Sequence, residues 1–197
     1  MIGQKHTYQH LSKALRFFSR FLLIFSCLIL TRPQLRAKTK PKGNDSTSML
    51  MLFHDSTLSQ AEKLIITLNL SNLYQSVNPT KALFYDSLTV VLAKRLGKEK
   101  TFISGIQNSA KDFQKLGRYN DADILYHYLR KQINDSSYTQ LAEYYYDLAV
   151  NYYMWSYFKK AATNFQKSRS CFEKLGDKPG IAKTLMGEAK VWNQYND

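Results

Sequence analysis

The sequence predicts an all-α protein, a superhelix of stacked antiparallel helical hairpins. Three observations carry that fold class. From about residue 57 onward apolar positions recur at helical spacing, and no alternating strand pattern interrupts them. The stretch Leu96-Gly97-Lys98-Glu99-Lys100-Thr101-Phe102-Ile103 parallels Leu175-Gly176-Asp177-Lys178-Pro179-Gly180-Ile181-Ala182, 79 residues later, which is two units of 39 or 40. The aromatic residues Tyr74, Phe113, Tyr152 and Trp192 step by 39, 39 and 40.

The N-terminus is set apart before the repeats begin. Residues 1–42 hold nine of the 28 basic residues and no Asp or Glu, leaving 19 basic against 15 acidic groups in the rest. The formal charge of +13 therefore sits mostly around the ten-residue apolar run Phe21–Leu30 rather than in the folded part. A bilayer-spanning helix needs about 20 apolar residues. A basic lead before a short apolar core predicts instead a signal peptide or membrane anchor over residues 1–37 and an exported chain. A short amphipathic leader on a cytoplasmic protein is the alternative, since the basic cluster after the run opposes export. Cys27 after Ser26 is a weak candidate for lipidation. Residues 38–56, with Pro41, Gly43 and several Ser and Thr, read as a linker.

Residues 57–197 then divide into seven predicted helices, at 57–76, 79–97, 100–116, 119–133, 137–155, 157–175 and 179–195, forming three hairpins and a final single helix. Pro79 and Pro179 sit at helix starts, where a missing N–H costs nothing. Small residues recur where paired backbones must approach: Ala110, Ala149 and Ala189 on first helices, Ala82, Ala122 and Ala161 on second helices. An aromatic three residues after each first-helix small residue fills the adjoining space. In the last helix Met186, Ala189 and Trp192 are expected to face the third hairpin, with Lys183, Lys190 and Asn193 outward and Val191 as the exception.

The third unit carries a family resemblance. Tyr145-x-x-Leu148-Ala149-x-x-Tyr152, followed nine residues on by Ala161-x-x-x-Phe165, resembles the two halves of the tetratricopeptide pattern. The second unit repeats the spacing with Ala110-x-x-Phe113, Gly117 and Ala122-x-x-x-Tyr126, and the first does so loosely with Leu70, Ser71, Tyr74 and Ala82. The fourth begins with Leu185, Ala189 and Trp192. The period exceeds 34 residues, and in that the chain is similar to the extended repeats found ahead of bacterial sensor kinases and regulators. The terminal proline of the family pattern is missing from each unit.

Catalytic and cofactor signatures do not emerge. The histidines are His6, His10, His54 and His127, and none forms a metal-ligand spacing. His127, between Tyr126 and Tyr128, is expected to be packed. Asp121 and Asp123 are expected to open a second helix, at the positive end of its dipole. Gly97-Lys98-Glu99-Lys100-Thr101 lacks the spacing of a phosphate loop. The two cysteines, Cys27 and Cys171, make no framework, and Cys171 reads as a structural thiol. The tyrosines 144–146, 152, 153 and 157 invite base stacking. However, the register assigns Tyr145 and Tyr152 to the core, and the weak net charge of the folded part argues against nucleic acid.

These readings predict a protein that binds by surface contact, with no enzyme activity, cofactor or metal. The resemblance implies an interaction scaffold for a protein or peptide. The extended repeat implies, as an alternative, the sensing region of a bacterial histidine kinase or helix-turn-helix regulator. It also implies a groove lined by first-helix positions: Gln107, Lys111 and Lys115 in unit two, Tyr146, Val150 and Tyr153 in unit three, and Lys183, Met186 and Lys190 in unit four. Such a lysine and tyrosine surface suits an extended acidic or aromatic peptide. The family's carboxylate clamp pairs a Lys with an Asn one turn later. Asn72 is present in unit one, but Leu68 stands in place of the Lys.

Overall fold

The computed structural model describes residues 46–196. The segment read as a signal peptide or anchor, with its apolar run, lies outside the described residues. Among the described residues no helix is long and apolar enough to cross a membrane. The chain divides into two compact units, residues 1–57 and 58–197. The first contributes one described helix, α1 (Ser46–Phe53). It falls inside the segment read as a linker, and its Met-Leu-Met-Leu-Phe run of good helix formers, free of Gly and Pro, accounts for that.

The second unit is all helix and turn among the described residues: α2 (Gln60–Tyr74), α3 (Pro79–Arg95), α4 (Glu99–Lys115), α5 (Tyr119–Arg130), α6 (Tyr138–Met154), α7 (Phe158–Leu175) and α8 (Lys178–Asn196). Consecutive helices pack in order, and α4–α6 and α6–α8 also touch. The arrangement is three stacked hairpins, α2/α3, α4/α5 and α6/α7, followed by the single helix α8. All seven helices fall where periodicity places them.

Local chemistry sets the ends. Ser59 opens α2 with a capping box: its hydroxyl accepts from the Glu62 N–H, and the Glu62 carboxylate accepts from the Ser59 N–H at 2.8 Å. Asn78 accepts from the Lys81 N–H at 3.0 Å and starts α3, with Pro79 at its first position. Four helices stop at a left-handed residue: Gly97 (φ 64°), Gly117 (φ 70°), Ser156 (φ 62°) and Gly176 (φ 67°). After each, the next N–H reaches back to the carbonyl five residues earlier, as in Tyr157 to Tyr152 at 2.8 Å and Arg118 to Phe113 at 2.9 Å. Ser156 stands 39 residues after Gly117 and holds the same backbone shape without glycine's freedom.

The core follows the small-residue scheme in the three hairpins. Ala82, Ala110, Ala122, Ala149 and Ala161 are all fully buried, and Phe113 and Tyr152 fill the space beside them. The last helix departs from the expected register. Met186, Ala189 and Trp192 are exposed, and Trp192 is 67% accessible. The face turned to α7 is Gly180, Thr184, Gly187 and Val191. Val191 lies 39 residues after Tyr152, so the repeat keeps one period through Tyr74, Phe113, Tyr152 and Val191. The aromatic filler here comes from α7 instead. A Cβ on Gly187 would lie 2.4 Å from the Phe165 ring, and one on Gly180 would lie 2.3 Å from the Phe172 ring.

Between the first two hairpins the interior is polar. Ser71 on α2 donates to Asp86 on α3, and Thr89 bonds Thr67 at 3.0 Å. Asp86 and Asp112 are both fully buried, and each has one carboxyl oxygen, Oδ2, without a hydrogen-bond partner. Burial, with the neighbouring Asp112 carboxyl adding to it, lifts Asp86 from 3.8 to about 8. Burial also raises Asp112, against the pull of its hydrogen bond with Asp86 and of Lys115.

Two predictions follow from this packing. Val191→Ala should cost about 1–3 kcal/mol, while Trp192→Gln should stay within about 0.5 kcal/mol. Chemical denaturation of the two variants checks this, and the reverse ranking would restore the tryptophan register. The second concerns pH. A carboxyl with a raised folded pKa stabilises fully below 3.8 and loses that contribution as pH climbs toward about 8. Stability should therefore fall between pH 5 and pH 8.5, and Asp86→Asn should flatten that slope and raise stability at the alkaline end. Parallel slopes for native and variant chains would show that the titrating group lies elsewhere.

Candidate binding surfaces

All nine positions expected to line a groove lie on the first helices α4, α6 and α8. Several are drawn into links between successive first helices. Gln107 donates to the Asp147 carboxylate at 2.6 Å, and Lys111 Nζ meets the same oxygen at 2.9 Å. Gln114 adds a bond to the Asp147 carbonyl at 2.9 Å. Burial pushes the Asp147 pKa up, and Lys111 and Gln107 oppose it. Lys115 donates to the Gln75 carbonyl at 2.6 Å and lies 3.5 Å from Asp112. Lys183 stands 3.3 Å from the Glu143 carboxylate and 3.8 Å from the Tyr146 ring centre.

Three of these links, Gln75–Lys115, Gln107–Asp147 and Glu143–Lys183, span 40 residues each. They form a polar ladder from one first helix to the next. Tyr146 stands edge-on to Phe165 at 5.6 Å, and Tyr153 leans on Phe158 at 5.9 Å. Both tyrosines and Val150 are half-buried, while Met186 and Lys190 are exposed. On this face Lys111, Lys115 and Lys183 are therefore matched by protein oxygens, and Lys190 projects freely outward.

The opposite, second-helix side is built differently. Helix α5 has 12 residues where α3, α4 and α6 have 17 and α7 has 18. Residues 131–137 turn away, held by Asn134 accepting from Ser136 and by an Arg130–Asp135 ion pair. The contact of α5 with α6 is the thinnest between consecutive helices of this unit. An open groove of about 550 Å³ results, floored by α6 and walled by α5 and α7. Its cations are Arg130, Lys159, Lys160 and Lys167, joined by His127, and no carboxylate lines it. Lys160 lies 5.0 Å from the ring centres of Tyr152 and Tyr157, and Lys167 lies 5.4 Å from that of Tyr145.

Two expectations are revised here. Of the tyrosine cluster, Tyr144 and Tyr152 are buried, while Tyr145 is half-buried and lines the groove. Residue 144 turns inward, edge-on to Tyr126 at 6.4 Å. His127 is exposed rather than packed; its Nδ1 lies 2.9 Å from the Asp123 carbonyl and 3.5 Å from the Asp123 carboxylate. Those contacts with Asp123 raise its pKa and favour imidazolium. Asp121 sits in the first turn of α5, paired with Arg118 at 2.7 Å.

Arg130, Lys159, Lys160 and Lys167 were not singled out from the sequence. The available signal was the lysine spacing along α7, whose first turn holds Lys159 and Lys160 with no acid and no side-chain cap. Cys171 is buried, and burial raises its thiol pKa, which suits a structural role. Among the described residues no group of three or more His, Cys, Asp or Glu could hold a metal ion. Comparison with protein families and with curated proteins finds no match for this chain.

Proposed function

We propose that the chain is a non-catalytic interaction scaffold, built on repeats of the tetratricopeptide kind, that holds a protein or peptide partner. The supporting observation is the stack of hairpins in step, with Phe113, Tyr152 and Val191 buried at one 39-residue period. Such a stack presents rigid, repeated helix faces over a long surface. The first-helix face, from Gln107 to Lys190, is the surface the reading assigns to the partner. Its polar ladder fixes the helices, and Tyr153, Met186 and Lys190 supply contact area and charge. Residues 1–37 are proposed to export the chain or anchor it, and N-terminal sequencing of the protein from membrane and soluble fractions checks that.

Partner capture by the full chain tests the scaffold reading. The triple variant Tyr153→Ala, Met186→Ala, Lys190→Glu leaves the ladder contacts intact. It should weaken capture of native partners about tenfold, the scale of one lost hot spot at about 1.4 kcal/mol. Unchanged capture at unchanged salt dependence would remove the partner from this face.

A further inference from the structure

We infer that the groove between α5 and α7 is a second binding site, which takes an extended acidic peptide segment. The inference rests on the scaffold reading for the class of ligand, and on this groove alone for its place.

Charge accounting between the two faces is the first argument. On the first-helix side Lys111 and Lys183 each have a carboxylate within 3.3 Å. On the other side Lys159, Lys160 and Lys167 make no ion pair among the described residues, and no carboxylate lines the groove they share. The acid beside His127 is Asp123, whose pKa His127 and Tyr152 lower against the effect of burial. Asp135 meets Arg130 from the rim and is largely solvent-exposed.

The helix itself is the second argument. The N-terminal end of α7 carries the positive end of its dipole, yet its first turn holds two lysines, no acid and no side-chain cap. Like charge is thereby concentrated where an anion is favoured. A third argument is shape. The groove is open and shallow, floored by Tyr145, Leu148 and Tyr152, which suits a chain laid along it rather than an enclosed small molecule.

Spacing specifies the ligand further. Lys160 and Lys167 are seven residues apart on one helix, a rise of about 10 Å. In an extended polyproline-II segment, side chains at i and i+3 point the same way about 9 Å apart. Two carboxylates at that interval would meet the two ammonium groups. The residues between them would lie on the tyrosines, whose rings add apolar contact at low entropic cost.

Fluorescence anisotropy with the full chain and a labelled peptide bearing Glu at every third position tests the site. Lys160→Glu, Lys167→Glu should weaken binding at least tenfold, and the milder Lys160→Gln, Lys167→Gln about threefold. Lys94→Glu, Lys98→Glu, a reversal of equal charge on α3 and its exit, should change it less than twofold. Circular dichroism melts establish that each chain is folded, and the glutamine pair carries the test if the reversal pair is not. Equal weakening by the α3 reversal would mean nonspecific attraction and would overturn the site. So would a single-stranded RNA oligonucleotide that displaces the peptide at a lower concentration than unlabelled peptide does. Loss of peptide binding in the first-helix triple variant, with the groove variants unaffected, would overturn the site yet leave the scaffold reading standing. Retained capture of native partners by the groove variants, alongside lost peptide binding, is the result expected if the two faces act separately.

Discussion

Close approach of helix backbones is the constraint on which the rest of this structure depends. One hairpin cannot hide its apolar face, so each helix must be covered by the next, and only small side chains allow it. In the three hairpins the small partner is alanine, fully buried at positions 82, 110, 122, 149 and 161. At α8 the roles are exchanged: the filler is Phe165 or Phe172 from α7, and the notch is Gly187 or Gly180. A helical glycine costs about 0.5–1 kcal/mol relative to alanine. Burying a phenylalanine ring returns about 1.5–3 kcal/mol. The exchange is thus favourable, and it fixes the rotation of α8, turning Val191 inward and Trp192 to solvent.

Once the helices are this close, the polar groups between them must be matched. Asp147 is nearly inaccessible, and a buried carboxylate left unpaired costs several kcal/mol. Lys111, Gln107 and the surrounding ladder meet that cost, so the positive charge of α4 is held at the seam. The second-helix side has no such demand. Short α5 brings no carboxylate opposite α7, and the α7 lysines keep their charge for solvent. Lysines that look alike in the sequence therefore have opposite fates, decided by whether the neighbouring repeat carries an acid at the facing height.

That difference also marks what was legible before the structure. Helix positions were, because Ser59 with Glu62, Asn78 with Pro79, and the glycines at 97, 117 and 176 are local signals that need no partner. Phe113 and Tyr152 were legible as anchors for the same reason. The register of α8 was not. Trp192 supplied the aromatic that the pattern asks for, while the true filler sat on another helix. Tyr144 and Tyr145 differ by 100° around one helix, and only the position of Tyr126 decides which turns in. The ladder was hidden because its partners stand 40 residues apart, beyond any spacing that a single helix reveals. The lysines of α7 were visible as a row, yet a row alone does not tell whether a carboxylate faces it.

The seam beside α5 joins these threads. Regular stacking would place a second helix of 17 or 18 residues there, and the 12 residues present leave the last turns of the wall missing. Fewer buried contacts lower the local opening free energy, so this seam is where the stack is softest. The turn that replaces the missing helix is held by short-range bonds, Asn134 to Ser136 and Arg130 to Asp135, rather than by core packing. An anion reaching from Arg130 on α5 to Lys167 on α7 would bridge the two hairpins across the softest boundary. By mass action, binding to the closed stack alone would stabilise it. The irregularity that weakens the repeat is therefore the same feature that gives it an unmatched charge and a groove in which to use it.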